Sequence, residues 1–282
     1  LLLFFHGYGG SHMSCGERCT VDAPDKGFVT VTMTGYGKKG TGGWNSWQFY
    51  GSSSSADGGE YDMTTCDPNN VYGNYCRKFK ECDCQQSDGC WWTTCHDSVQ
   101  QVIQILSMVE KKICIDLDRI WASGCSNGAM FTYELARDGR TAGRIRGIAP
   151  IVGLPHWGYS TGPMVEGISY FGMFGVNDNV VPPVTNTDTP NMSQENRGWR
   201  YTAYNKTVAD WTVGNGCDGD GQTPLIGNEY NTTDYGFFDC VQGCEEAKNT
   251  SHVVSCLFQG GHDCYKNRIP WEPMFEFILS QN

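Results

Sequence analysis

The apolar positions of this chain fall into two patterns. Short continuous runs occupy 1–5, 28–33, 118–123, 145–152, 168–174 and 252–258. Continuous runs of that length suit parallel strands covered on both faces; half-exposed strands would alternate. Helical patterns lie between them. Val99, Val102, Ile103, Leu106 and Val109 share helical spacing over 97–111, with Asp97 placed to cap the first turn. Further helices are expected from just after Ser126 to about Arg137, over about 199–213 and over about 271–280. Strands alternating with helices predict an α/β fold with a mostly parallel central sheet and helices on both faces.

The stretch 34–96 breaks the pattern. It is rich in Gly, Ser, Cys and Trp and has little periodicity. An irregular segment of that length is unusual in a compact domain, so a disulfide-braced insertion is expected. The plainer reading is a cross-linked surface excursion. The sharper one makes Trp44, Trp47, Trp91 and Trp92 candidates for a substrate cleft. With neither an internal repeat nor a linker, residues 1–282 read as one catalytic-sized domain.

Composition narrows the class. Hydrophobic residues are 39% and charged residues 18% of the chain, enough apolar material for a core, which excludes a disordered protein. A net charge of -11 is repelled by phosphate backbones and anionic membranes. No apolar run approaches the ~20 residues of a spanning helix. Neither nucleic acid nor membrane is expected as a partner, and a monomer is expected.

Fifteen cysteines bear on the compartment. Zinc sites need paired ligands at short, regular spacing. Here Cys76, Cys82, Cys84, Cys90 and Cys95 are separated by five, one, five and four residues. Cys240 and Cys244 fit C-x₃-C but have no second pair nearby. Disulfides are therefore expected, with no metal. The odd count leaves at least one thiol without a partner in the chain. Four N-x-[ST] sequons, at Asn191, Asn205, Asn231 and Asn249, point the same way, to a secreted glycoprotein. The opening Leu1-Leu2-Leu3-Phe4-Phe5 is too short for a signal peptide core and is read as a buried strand.

The strongest local chemistry is Gly124-Cys125-Ser126-Asn127-Gly128, a G-x-S-x-G pattern between an apolar strand and a helix. Such a turn lifts the serine Oγ above the sheet, the glycines allow strand and helix to approach, and the helix N-terminus offers amides to an oxyanion. Ser126 is the candidate nucleophile. A base must follow it, and His156, His252 and His262 do. His262, in Gly260-Gly261-His262-Asp263, comes directly after a strand; His252 begins that strand, and His156 precedes the candidate acid. Asp178, at the turn after 168–174, is preferred as the acid over Asp188 in a polar loop and Asp210 in a helix. The oxyanion donors are expected to be the amides of Asn127 and of Tyr8 in His6-Gly7-Tyr8-Gly9-Gly10, with Gly9 the alternative to Tyr8. His6 is expected to orient that loop.

Together these residues resemble the secreted polyhydroxybutyrate depolymerase/feruloyl esterase-like branch of the α/β-hydrolases. The likeness lies in Leu2 to Ser11, in Asp118-Arg119-Ile120-Trp121 through Gly128-Ala129-Met130, in Gly175 to Pro182, in Trp211 with Asn215-Gly216-Cys217, and in Gly260-Gly261-His262. Phe174 stands where the family's acid loop usually has His, and Ala129 where it has Gly. The family normally has at least one strand before the HG loop, so missing N-terminal strands or a smaller sheet are expected. Tannase-like fungal esterases tie their serine and histidine loops with a disulfide, and that resemblance suggests a Cys125–Cys264 bond.

The resemblance implies a secreted serine esterase with no cofactor, acting on feruloyl or polyhydroxyalkanoate-type esters, with a polymeric plant polysaccharide or polyester among the candidates. Acetylated polysaccharide, aromatic polyester, a serine peptidase of the same fold and a non-catalytic binding protein are the alternatives.

Overall fold

The computed structural model describes residues 1–37, 44–55, 89–91, 93, 96–159, 161–183, 191–192, 199–217, 223–224, 237–244, 252–265 and 271–281. Its centre is an eight-stranded sheet. The strands are β1 (Leu2–Phe5), β2 (Thr30–Met33), β3 (Trp121–Cys125), β4 (Gly147–Ile151), β5 (Ser169–Gly175), β6 (Thr223–Pro224), β7 (Phe237–Gly243) and β8 (Val253–Phe258). Their order across the sheet is β6-β7-β8-β5-β4-β3-β1-β2. All pairings from β2 to β8 are parallel, and β7 and β6 add an antiparallel edge.

Among the described residues, four helices of ten residues or more cover the sheet: α1 (Ser98–Lys112), α2 (Asn127–Arg137), α3 (Tyr204–Gly214) and α4 (Trp271–Ser280). Each forms for a legible reason. Asp97 caps α1 by accepting the Gln100 amide at 2.9 Å. The apolar face of α1 buries Val99, Val102 and Leu106. Strand β1 shows how one run feeds two layers, since alternate side chains point to opposite faces. Leu3 and Phe5 belong to the core beneath α1, α2 and α3, where Phe5 packs edge-on to Phe131 with centroids 5.0 Å apart. Leu2 and Phe4 belong to the opposite core beneath α4, where Phe4 meets Trp271 at 5.4 Å. Each such buried side chain contributes about 1.5–3 kcal/mol.

Two expectations shift. The pattern over 199–213 is not one helix. Arg200–Tyr201 is extended and pairs with Asn191–Met192, Tyr201 bridges His156, and α3 starts only at Tyr204. The antiparallel pair β6 and β7 was not among the expected strands; β7 mixes Asp239 and Gln242 with its apolar residues and so lacks a clean run. Of the cleft candidates in 34–96, Trp92 lies outside the described residues. Trp91 ends a short strand, Gly89–Trp91, that pairs with Ser53–Ser55. The disulfides among the described residues are Cys15–Cys19, Cys125–Cys264, Cys217–Cys244 and Cys240–Cys256, and Cys114 is an exposed free thiol.

Candidate active site

The parallel strands β1, β3, β5 and β8 deliver four loops to their carboxyl edge, where open α/β sheets bind ligands. Ser126 follows β3 directly, at φ 52° and ψ -116°. That is a left-handed backbone in a non-glycine residue, a strain of about 1–3 kcal/mol held by its surroundings. The flanking glycines explain the holding. A Cβ on Gly124 would lie 2.6 Å from the Gly128 backbone and 2.8 Å from the Phe5 carbonyl, and one on Gly128 would strike the carbonyls of Phe5 and His6. Strand β1, strand β3 and helix α2 thus meet backbone to backbone beneath the serine.

Ser126 Oγ lies 2.8 Å from His262 Nε2, and His262 Nδ1 lies 2.7 Å from Asp178 Oδ2. A carboxylate only accepts, so Nδ1 carries the proton and Nε2 is free to accept from the serine hydroxyl. Asp178 is 3% exposed, and its Oδ1 accepts the amides of Val180 and Val181, each at 2.8 Å. The structure therefore brings together Ser126, His262 and Asp178 from loops 136 and 84 residues apart. The rivals stand elsewhere. His252 lies at the opposite end of β8, where its carbonyl accepts the Tyr170 amide. Asp210 is in α3 and binds Lys206 and Thr161. Asp188 is outside the described residues. His156 is fully buried, stacks on Trp199 at 4.3 Å, and burial drives its pKa down to about 3.

The glycine loop after β1 is fixed at both ends of one peptide. His6 Nε2 accepts the Gly35 amide at 2.9 Å, so His6 Nδ1 carries the proton and donates to the Gly7 carbonyl at 2.6 Å. Burial lowers the His6 pKa, which keeps the ring neutral. The Gly7 carbonyl also accepts the Gly10 amide at 2.9 Å. Because the peptide is planar and trans, pinning that carbonyl sets the direction of the Tyr8 N–H on the same unit. The Gly9 amide donates to the Asn45 carbonyl at 2.8 Å, which engages the alternative donor. Asn127 is the first residue of α2, where intrahelical partners for amides are lacking. Its buried side chain turns away, accepting from the Trp47 amide at 2.8 Å and donating to the Trp47 carbonyl at 3.1 Å.

That contact corrects the reading of Trp47. It is fully buried, stacks on Phe131 at 5.4 Å and donates from Nε1 to the His6 carbonyl at 3.0 Å. It is a core residue that props the serine helix against the glycine loop, because its flat ring fills the space beside Phe5. Trp44 is exposed and stacks on Tyr8 with rings 7° from parallel and centroids 5.8 Å apart.

A cavity of about 330 Å³ opens over Ser126 and His262. Its walls include Met130, Val180, Val181, Trp199 and Tyr201, with Tyr8 and Tyr265 towards the glycine loop. The sequence reading named Tyr8 among these but missed Trp199, Tyr201 and Tyr265. Only their aromatic character marked them, and many residues share it. Burial, and then the negative charge of Asp178, raises the Tyr201 pKa, so its phenol stays neutral beside the carboxylate. Of the sequons, Asn205 sits half-buried in α3, with the Thr207 hydroxyl donating to Ala203, a departure from the exposed loop a sequon leads one to expect. Asn191 lies in a two-residue strand, and Asn231 and Asn249 are outside the described residues.

No family model and no curated protein matches the chain. Solved structures do, at the level of fold. An acetyl xylan esterase from Aspergillus awamori superposes with a TM-score of 0.51 at 12% identity, covering 98% of this chain and 87% of its own. A Bacillus cereus carboxylesterase gives 0.50 at 14% identity over 100% and 88%. YahD, solved with malic acid, gives 0.50 at 13% identity over 100% and 93%. The chain has the α/β-hydrolase fold.

Proposed function

We propose that this protein is a serine esterase. The observation that carries the reading is the unbroken hydrogen-bond chain from buried Asp178 through His262 to Ser126 Oγ, with the serine on a strained turn at the floor of a cavity. Ser126 Oγ attacks the ester carbonyl carbon as Nε2 of His262 takes its proton. The new oxyanion is held by the amides of Tyr8 and Asn127. Collapse breaks the bond to the alcohol, which leaves with the proton from Nε2. Water then attacks the acyl-serine, giving its proton to the same nitrogen, and the acid is released as Oγ is reprotonated. Asp178 keeps the imidazole in the productive tautomer and offsets its charge.

The acyl group is proposed to be hydroxycinnamoyl in preference to a hydroxyalkanoate. Flat Trp199 and Tyr201 with aliphatic Met130, Val180 and Val181 suit a planar ring better than a short polar chain. The names of the similar esterases are compatible with ester substrates, including those on polysaccharide. Fifteen cysteines, with disulfides on both faces of the sheet, support a secreted protein. The test is hydrolysis of p-nitrophenyl acetate, p-nitrophenyl butyrate and methyl ferulate by wild type and Ser126→Ala. Turnover lost by about 10⁴-fold or more in the variant is expected. A folded wild type inert on all three would overturn the reading, and turnover of the short esters without methyl ferulate would overturn the hydroxycinnamoyl preference alone.

A further inference from the structure

Tyr265 is a residue that neither the triad nor the oxyanion amides account for. It follows Cys264, whose disulfide to Cys125 ties the histidine loop to the residue before the nucleophile. Its phenol oxygen crosses to the glycine loop and accepts the Gly7 amide at 2.8 Å. Further along the same loop, Ser14 Oγ accepts the Ser11 amide at 2.9 Å. The phenol therefore holds the loop near its start. Gly7 itself lies against the nucleophile, since a Cβ there would come within 3.3 Å of Cys125 Sγ and 3.5 Å of Ser126 Cβ.

We infer that Tyr265 is a positioning residue for the oxyanion hole, acting through Gly7 to aim the Tyr8 amide at the carbonyl oxygen attacked by Ser126. The inference rests on the esterase reading. His6 fixes the carbonyl side of Gly7 and Tyr265 fixes its amide side, so both peptides flanking Gly7 are clamped. With φ and ψ of a glycine otherwise free, an unclamped Gly7 would let the Tyr8 N–H swing. An oxyanion donor acts only within about 2.7–3.1 Å of where the charge develops, so a small swing removes much of its effect. Burial also raises the Tyr265 pKa, which keeps the phenol protonated while its oxygen accepts. The tie closes a ring: Ser126, Cys125, Cys264, Tyr265 and Gly7 return to the serine, so the nucleophile, base loop and oxyanion loop move as one body.

The test is Tyr265→Phe, which keeps the ring against the cavity and removes only the hydroxyl. On p-nitrophenyl butyrate, kcat is expected to fall about 10-fold, part of the 10²–10³ that a whole oxyanion donor supplies. KM should stay within about 2-fold, because the ground-state carbonyl gains little from the donor. Affinity for an alkyl trifluoromethyl ketone, whose carbonyl carbon bonds Ser126 Oγ to give a tetrahedral oxyanion, should fall by the same factor as kcat/KM. An unchanged kcat in folded Tyr265→Phe overturns the inference. So does a loss of kcat with unchanged ketone affinity, or a displaced acid limb of the pH profile, which would place the effect on His262. An inert wild type whose Ser126 ignores a fluorophosphonate overturns the esterase reading and this inference with it; an active wild type with an indifferent Tyr265→Phe overturns the inference alone.

Discussion

Replacing Asp178 by Asn tests the triad where its geometry is most constrained. Oδ1 accepts two amides, from Val180 and Val181, and Oδ2 meets His262 Nδ1. An asparagine can satisfy the two amides only with its carbonyl oxygen. Its NH₂ must then face Nδ1, which must become the acceptor, and the imidazole proton moves to Nε2. That nitrogen can no longer take the serine proton. In the Ser-His-Asp enzymes where this exchange is understood, it costs about 10⁴ in kcat, or about 5.5 kcal/mol of transition-state stabilisation. Stability should hardly change, because every hydrogen-bonding position stays filled. Asp178→Ala separates the two roles: it abandons the part-buried Val180 amide and the buried Val181 amide, and an amide left unpaired in the interior costs about 1–3 kcal/mol. It should therefore lose activity and also about 2–5 kcal/mol of stability. The assays are kcat on p-nitrophenyl butyrate and urea unfolding of each variant. Asp178→Asn retaining more than about a tenth of wild-type kcat would refute the tautomer reasoning. Asp178→Ala as stable as Asp178→Asn would refute the anchoring role.

Other outcomes follow from the packing. Gly128→Ala drives a methyl into the carbonyls of Phe5 and His6, so about 3 kcal/mol of stability and most of the turnover should be lost, read by thermal melting and initial rates. His156 is buried neutral with a pKa of about 3, so the unfolded chain takes up its proton first as pH falls below about 6.5. Stability should then drop by about 1.4 kcal/mol per pH unit from that point towards pH 3, and His156→Phe should flatten the dependence in urea titrations. A Cys125→Ala, Cys264→Ala double variant should lose about 2–4 kcal/mol of stability, and its turnover should fall because His262 loses the anchor beside it. Non-reducing peptide mapping that finds either cysteine bonded elsewhere would sink that expectation.

Much of the site was legible because its parts sit at the ends of strands that the sequence marks strongly. β3, β5 and β8 are almost wholly buried, so each reads as an apolar run and the residue after it is easily found. Gly124 and Gly128 mark a close approach that only glycine permits, and the structure supplies the backbone they would strike. What stayed hidden depends on partners remote in sequence. Trp47 looks the same in a cleft as in a core; only Phe131 and the Asn127 side chain decide the matter. The segment before Tyr204 has helical spacing, but pairing with Asn191–Met192 and the bridge to His156 hold it extended. That pairing turns Trp199 and Tyr201 into the cavity wall. Local propensity cannot foresee a conformation fixed by such contacts.

The same distinction bears on how the site stays assembled. Its loops come from strands far apart in sequence, so the sheet alone sets their spacing at the strand ends and leaves the loop tips to side-chain ties. Those ties are few and specific: Asp178 to the Val180 and Val181 amides, His6 and Tyr265 on either side of Gly7, and the Cys125–Cys264 bond. The hydrogen-bonded ties stand apart from the large apolar cores on the two sheet faces, where most of the folding free energy lies, whereas Cys125 and Cys264 are themselves part of the core beneath α4. Losing a single hydrogen-bonded tie should therefore leave the fold standing while displacing a donor or a base by enough to matter, since misplacement of about 1 Å can cost 10²-fold in rate. Activity is then the sensitive reporter of these residues and global unfolding the insensitive one. A rate measured beside a stability therefore separates the two: a change in rate at constant stability locates a residue in the tie, and a joint loss shows that it also carries part of the frame.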